Sequence, residues 1–146
     1  MADSRGQQSD WSNPPDDEII RLLREVKVIA IVGLSDDKSS PSFGVAEYLK
    51  KNRYRIIPVN PNLKEWFGEK AYPDLKSIPF GIDVVDIFRR AEHVSSITMD
   101  AVAAGAKAVW MQEGVISTEA YAYGKRKGIM VIMNRCMARE HMRHLK

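Results

Sequence analysis

Short apolar runs and longer amphipathic segments alternate along the chain. Near-continuous apolar runs predict strands that are buried on both faces, at residues 28–32, 54–59, 83–88, 108–111 and 129–133. Apolar residues at three- and four-residue spacing predict helices at residues 14–26, 43–51, 92–104, 118–127 and 135–145. Strands that alternate with helices predict an α/β fold, a three-layer, doubly wound parallel sheet with right-handed crossovers.

Two stretches fit this alternation less simply. Asn13 precedes two prolines and three acidic residues, a pattern that predicts an asparagine cap on the first helix. Residues 63–70 show no clear period, so we expect an irregular segment or a helical turn, with Trp66 and Phe67 tucked beneath it. Residues 71–73 are expected to add a short edge strand.

Length and composition limit the protein classes to consider. The 146 residues suit one domain, which we place at 13–146 after a polar, flexible N-terminal arm at 1–12. No apolar run approaches the roughly 20 residues of a membrane span, and no apolar leader opens the chain. A single Cys excludes an internal disulfide and makes the cytoplasm the expected location. A net charge of +3 without interleaved aromatics disfavours nucleic acid and suits an anionic small ligand.

The first strand and the segment after it are the most informative part of the chain. Gly33 ends the strand, and a loop rich in Ser, Asp and Lys leads through Ser42 to a helix start. Unpaired backbone amides and the positive end of the helix dipole favour an anion there. The loop has neither a complete dinucleotide fingerprint nor the lysine motif of a P-loop. A phosphate-containing ligand and a purely structural turn therefore both remain open.

Every strand is followed by residues that would lie at one edge of the sheet. In a parallel sheet this carboxyl edge binds ligands near the point where the strand order reverses. The segments that meet there are Gly33 to Ser35, Asn60 to Asn62, Phe88 to Arg90, Gln112 to Gly114 and Asn134 to Cys136.

The end of the second strand favours one class of phosphate ligand. Dinucleotide-binding domains usually place an acid there to bind the ribose hydroxyls, but this chain has Val59, Asn60 and Pro61, with Lys64 close by. An adenosine that carries an extra phosphate is therefore favoured over NAD. Both NADP and coenzyme A (CoA) meet this description.

Five blocks of sequence carry a resemblance to a known family. They are VGLSDDKSSPSFGVAEYLKK, IIPVNP, DVVDIFRR, AVWMQEGV and the closing RC followed by Glu140. In this order and spacing they resemble the small stand-alone CoA-binding proteins, which are related to the CoA-binding domain of the succinyl-CoA synthetase α subunit. The similarity covers about residues 19–143 and implies a Rossmann-like CoA-binding domain whose ligand is CoA or an acyl-CoA.

The resemblance also implies roles for particular residues. Gly33, Ser35 and Ser42 match the family's phosphate loop. Val59, Asn60 and Pro61 match a segment along the adenosine, and Lys64 falls where the ligase domain has a lysine near the 3′-phosphate. The cofactor-flanking residues are Ile87, Phe88 and Arg89, and those that face the pantetheine end are Trp110, Gln112, Glu113 and Gly114. Two positions depart from the family pattern, namely Ser40, where many relatives have Arg, and Asn134, where the block often has Asp.

Few residues suggest a reaction. The ligases carry a phosphorylated histidine on a further domain, whereas His93, His141 and His144 are expected here to be solvated surface residues. His141 and His144, three residues apart, form a weak metal pair, and we predict no metal site. Cys136 follows the last strand beside Arg135, which would favour a thiolate, although a small buried residue is an equal interpretation.

The carboxylates have mainly structural interpretations. Asp83 and Asp86 are expected to make strand-end hydrogen bonds, and Glu113 to bind backbone amides rather than act as a base. The sequence therefore predicts a CoA-binding module without an evident active site. An NADP-binding redox or sensor domain is the alternative. A third is a regulatory subunit that acts in a homodimer or with an unidentified protein partner.

Overall fold

The computed structural model describes residues 11–146. Its strands are β1 (Val28–Val32), β2 (Arg55–Val59), β3 (Glu65–Trp66), β4 (Glu69–Lys70), β5 (Val84–Ile87), β6 (Ala108–Met111) and β7 (Met130–Ile132). Its α-helices are α1 (Asp16–Glu25), α2 (Pro41–Lys51), α3 (Ala91–Ala103), α4 (Thr118–Arg126) and α5 (Met137–Leu145). Five parallel strands form the main sheet in the order β2-β1-β5-β6-β7. The predicted three-layer α/β fold is confirmed.

The two faces of the sheet bury separate hydrophobic clusters. One cluster joins Ile29 and Ile31 of β1 to side chains of α1, α2 and α5. The other joins Ala30 and Val32 of the same strand to side chains of α3 and α4. Successive side chains of a strand point to opposite faces, so an unbroken apolar run supplies both clusters. This double burial explains why the strands lack polar alternation.

The chain reverses its direction of growth across the sheet at β1. This strand pairs with β2 on one side and with β5 on the other. The crossovers that leave β1 and its neighbours diverge there, and they open a crevice above the carboxyl ends of β1 and β5. The fold thus places this crevice directly after Val32, where the sequence has its glycine and hydroxyl-rich loop.

The prediction for the first helix is wrong in its cap. Asn13 does not cap α1, whose N-cap position is Pro15 and has no side-chain hydrogen bond. The Asn13 amide nitrogen instead donates to the Met133 carbonyl (2.9 Å), and its oxygen accepts from the Met133 amide (2.7 Å). The approach to α1 is thereby held against the end of β7, a contact across 120 residues of sequence.

The prediction for residues 63–70 is also wrong. This stretch is a β-hairpin, in which Glu65 pairs with Lys70 and Trp66 with Glu69. Trp66 is buried beneath it as expected, but Phe67 is 56% exposed. The predicted edge strand at 71–73 is reduced to a parallel bridge between Val59 and Tyr72.

The predicted arm at 1–12 falls almost wholly on residues 1–10, which lie outside the described part of the chain. Trp11, within it, packs against the cluster beneath α3 and α4. Among residues 11–146, no helix is both long and apolar enough to cross a bilayer.

Candidate functional site

Gly33 forms the floor of the crevice. Its φ is +88°, and a Cβ atom at this position would lie 2.5 Å from the Phe88 carbonyl oxygen. Its amide donates to the Val59 carbonyl (2.8 Å), while the Phe88 amide donates to the Val32 carbonyl (2.8 Å). The ends of β1, β2 and β5 therefore converge on one residue, and only glycine satisfies both the backbone conformation and the close approach.

Three serines hold the loop between β1 and α2. Ser40 caps α2, because its Oγ accepts from the Ser42 amide (3.2 Å). The Ser42 Oγ accepts from the Ser35 amide (3.0 Å) and lies 2.8 Å from the Ser40 Oγ. Ser42 is 2% exposed. In this structure the Ser42 hydroxyl is thus bonded within the loop, which it shapes, whereas Ser40 borders open space.

Three adjoining cavities form a groove along the carboxyl edge of the sheet. The first, of about 410 Å³, lies over the ends of β1 and β2. The central cavity, of about 440 Å³, adjoins it at Gly33, Phe88 and Arg89. The distal cavity, of about 310 Å³, adjoins the central one at Pro41, Gln112 and Glu113. Each has a volume typical of a small-molecule pocket, and together they suit an elongated ligand.

The central cavity is the part of the groove best suited to an anion. The first turns of α2 and α3 both border it, at Pro41 and Ser42 and at Ala91. The positive ends of two helix dipoles therefore meet at this point. The first turn of α3 has no side-chain cap, whereas the Ser42, Phe43 and Gly44 amides of α2 are bonded to Ser40. Arg89 and Arg90, both exposed, add two positive side chains to the same cavity.

Two acidic residues border the first cavity. Asp74 is already engaged, since its Oδ1 accepts from the Ser77 amide (2.9 Å) and hydroxyl (2.8 Å). Asp100 lies 3.8 Å from the Lys76 ammonium group. No acid directly follows β2 in the sequence, but the fold brings Asp74, from the segment after the hairpin, and Asp100, from α3, to the first cavity.

Asn60 stabilises the same end of the groove. Its side-chain amide donates to the Leu34 carbonyl (3.0 Å), and its Oδ1 accepts from the Asn62 amide (2.8 Å). The first bond joins the loop after β1 to the loop after β2, and the second stabilises the loop after β2 itself.

Cys136 borders the distal cavity. Burial raises the pKa of the thiol above its ordinary value. Arg135, expected to favour the thiolate, points elsewhere, since its Nη1 lies 3.3 Å from the Glu140 carboxylate. The expectation of a thiolate is therefore wrong, and a neutral thiol faces the cavity.

The loop after β6 is held by the loop after β7. Asn134 has a φ of +60°, and its Oδ1 accepts from the Gly114 amide (2.8 Å). Asparagine tolerates this left-handed conformation better than most residues. Glu113 binds the Arg139 guanidinium at 2.9 Å, so the expectation that it binds backbone amides is wrong.

Most of the site residues predicted from sequence border the groove. They are Gly33, Ser42, Val59, Asn60, Pro61, Phe88, Arg89, Gln112, Glu113, Gly114 and Cys136. The residues outside its lining are Ser35, Lys64, Ile87 and Trp110. Trp110 and Ile87 are fully buried, and the indole of Trp110 donates to the Arg135 carbonyl (2.9 Å), which positions the approach to Cys136. Lys64 is exposed on the loop beside the first cavity.

Sequence reasoning missed two kinds of groove residue. Arg90 was placed at this edge with Phe88 and Arg89 but was given no site role, although it lies two residues before the helix predicted at 92–104. The distal lining was not accessible in this way, because Gly44, Tyr48 and Met142 belong to helix faces that only the packing of α2 beside α5 brings together.

Asp83, directly before β5, and Asp86, within it, have contrasting environments. Asp83 accepts hydrogen bonds from the Lys27 and Val28 amides (2.9 and 3.0 Å), as expected for a strand-end carboxylate. Asp86 lies between Ile31 and Trp110 in the sheet, and neither of its oxygens has a hydrogen-bond partner among the described residues. Burial raises its pKa to about 8, and the nearby Ile87 amide offsets only part of this rise. Its predicted strand-end hydrogen bond is therefore wrong.

The histidines of α5 are not solvated, contrary to expectation. His141 is 7% exposed, and its Nδ1 lies 2.8 Å from the Tyr48 hydroxyl. Burial lowers its pKa. The His144 Nε2 lies 3.4 Å from Glu140 and 3.9 Å from Asp16. These three residues have the composition of a metal site, but Arg135 and Arg143 lie against the same carboxylates and already compensate their charge.

Comparisons with known proteins agree with this geometry. A family model described as a CoA binding domain matches residues 27–142, a span that includes all three cavities. The chain belongs to this CoA binding domain family. Membership confirms the family resemblance seen in the sequence blocks, and it supports CoA binding in general.

Individual relatives extend the comparison. The chain is 40% identical over 129 residues to the uncharacterized protein YneT of Bacillus subtilis (strain 168), covering 88% of this chain and 96% of YneT. It is 31% identical over 90 residues to the acetate–CoA ligase (ADP-forming) II of Archaeoglobus fulgidus, covering 60% of this chain but 13% of the ligase. A solved structure of a hypothetical protein from Pyrococcus horikoshii OT3 has a TM-score of 0.88 and 35% identity, covering 94% of this chain and 99% of that one.

Proposed function

We propose that this protein binds CoA, or an acyl-CoA, along the groove at the carboxyl edge of its sheet, as a non-catalytic or regulatory module. The observation that carries the proposal is the central cavity. Gly33, two helix starts and two arginines there create a compact anion site between two further cavities. A ligand with a pyrophosphate in its middle and an organic group on either side fits this order.

The orientation of the ligand follows from the chemistry of the outer cavities. The first cavity combines Val59 and Pro61 with polar and acidic groups, which suits a nucleoside with its ring and hydroxyls. The distal cavity is lined by Cys136 and mostly apolar residues, which suits the pantetheine end. We therefore assign the adenosine to the first cavity, the pyrophosphate to the central one and the thiol to the distal one.

Two features of the distal cavity support binding of the thiol end rather than a reaction there. A neutral Cys136 thiol is a poor nucleophile, and the Glu113 carboxylate is already bound to Arg139. As a regulatory module, the protein would report the bound cofactor to a partner or to a second copy of the chain.

The direct test is a calorimetric titration with CoA, dephospho-CoA, NADP and NAD. We expect CoA to bind most tightly and dephospho-CoA to bind at least about tenfold more weakly than CoA. NADP should bind more weakly still, and NAD should bind most weakly of the four. One charged hydrogen bond to the 3′-phosphate accounts for the first step, at about 1.5–3 kcal/mol. Tighter binding of NADP than of CoA would contradict the proposal and favour the alternative, an NADP-binding redox or sensor domain.

Substitution of Lys64 tests the phosphate contact separately. Lys64 is exposed two residues after Asn62, which lines the first cavity. If its ammonium group binds the 3′-phosphate, Lys64→Ala should reduce the difference in affinity between CoA and dephospho-CoA. Lys51→Ala, at the far end of α2, is the matched control and should preserve this difference. Equal binding of the two CoA forms to the unaltered protein would remove Lys64 from the site.

A further inference from the structure

Neither the backbone conformation nor the packing of α2 requires a glycine at position 44. It lies inside α2, its φ is not in the left-handed region, and a Cβ atom placed on it would meet nothing within 4 Å. Glycine is a poor helix former compared with alanine, and alanine fits here without strain. Gly33 and Gly124 differ in this respect, because a Cβ on either would lie 2.5 Å from a neighbouring atom. The open space beside Gly44 is the distal cavity.

The distal cavity has a different chemistry from the rest of the groove. Apart from Gln112, Glu113 and Arg139 its lining is carbon-rich, formed by Pro41, Gly44, Val45, Tyr48, Cys136, Ala138 and Met142. The Tyr48 hydroxyl is bonded to His141, and Glu113 is bonded to Arg139, which leaves few polar groups for a ligand. The pantetheine arm carries two amides and suits the polar stretch around Gln112. The cavity beyond that stretch suits an alkyl group.

We propose that the distal cavity holds the acyl chain of a short-chain acyl-CoA, so that the preferred ligand is the thioester rather than free CoA. This inference rests on the CoA binding proposed above. The absence of a side chain at Gly44 keeps the cavity open, and the alkyl chain packs against α2 and α5. The Cys136 thiol lies beside the thioester but, being neutral, leaves it intact.

The size of the effect follows from the apolar area that the acyl chain buries. Each buried methylene raises affinity roughly fourfold. A cavity of about 310 Å³ that also receives the thiol end leaves room for a few carbons. Affinity should therefore rise from acetyl-CoA to butyryl-CoA and fall again for an acyl chain of about twelve carbons.

The experiment compares CoA, acetyl-CoA, butyryl-CoA and lauroyl-CoA by calorimetry on the unaltered protein, Gly44→Leu and Gly81→Leu. Leucine at position 44 fills the cavity, so butyryl-CoA should lose at least tenfold more affinity than CoA, which places only its thiol end there. Gly81, where a Cβ also meets nothing within 4 Å, lies outside all three cavities and is the control. Gly44→Ala should raise thermal stability, which shows that the glycine is not needed for folding.

The outcomes separate the two proposals. If neither CoA nor any of the acyl-CoA ligands binds, the proposed function itself fails. If CoA binds but butyryl-CoA binds no more tightly, or if Gly44→Leu weakens both ligands equally, only the acyl cavity is rejected. Intact-mass spectrometry after incubation with butyryl-CoA should show no butyrylated protein, and an adduct lost in Cys136→Ser would contradict binding without reaction.

Discussion

Helices α2 and α4 begin in nearly the same way but lie in different surroundings. Ser40 caps α2 through the Ser42 amide (3.2 Å), and Ser117 caps α4 through the Ala120 amide (3.1 Å). Both helices follow a parallel strand, yet only the start of α2 borders the groove. The difference is that α2 follows Gly33 at the position where the strand order reverses. A capped helix start therefore does not by itself indicate an anion site, since the position of the helix in the sheet topology decides whether it borders the groove.

The largest loss of stability should come from replacing Gly33, which precedes the loop that leads to α2. Gly33→Ala places a methyl group 2.5 Å from the Phe88 carbonyl and adds the cost of a left-handed conformation. We expect a loss of at least about 4 kcal/mol in the free energy of unfolding, or failure to fold. Gly105→Ala is the control, since it shares the positive φ (+80°) but has open space around it. Similar losses in both variants, measured by urea unfolding, would show that the close approach to Phe88 does not matter.

The pH dependence of stability should distinguish the two faces of the sheet, on which α2 and α4 pack. The face beneath α2 contains the buried carboxyl of Asp86, whose folded-state pKa is raised from 3.8 to about 8. Between these values the folded protein holds a proton that the unfolded chain releases, so stability declines as the pH rises towards 8. Asparagine does not titrate, so Asp86→Asn should remove this decline of the free energy of unfolding with pH.

The free energy of unfolding of the Asp86→Asn variant, relative to that of the unaltered protein, should therefore increase by up to roughly 4 kcal/mol from pH 5 to pH 8. Urea unfolding at several pH values measures this difference. Thr98→Val, a substitution on the opposite face, is the control and should show no such trend. A difference between Asp86→Asn and the unaltered protein that stays constant with pH would contradict the buried, protonated carboxyl.

Prediction from sequence worked best for elements whose pattern is local. The strands β1 and β6 have the predicted bounds because each is a continuous apolar run with a clear end, at Gly33 and at Gln112. The groove residues after the strands were predictable for the same reason, since parallel strands bring their carboxyl ends to one edge. The serine cap of α4 was likewise readable at Ser117.

The failures depend on partners that are distant in sequence. The β3–β4 hairpin has two-residue strands and a turn at Phe67 and Gly68, both with positive φ, and phenylalanine is not a turn signal for such a conformation. His141 lies 93 residues from Tyr48, and Asn13 lies 120 residues from Met133. No local pattern distinguishes these buried or bonded residues from solvated ones.

The comparison between the two capped helices also offers the most direct test of the central claim, which is that CoA binds at the start of α2. Ser40→Asp and Ser117→Asp should both fold with nearly unchanged stability, because aspartate caps a helix about as well as serine. Calorimetric titration with CoA should then show at least a tenfold loss of affinity for Ser40→Asp, whose carboxylate faces the phosphates, and no change for Ser117→Asp. Unchanged CoA affinity in a folded Ser40→Asp protein, or equal losses in the two variants, would contradict the account.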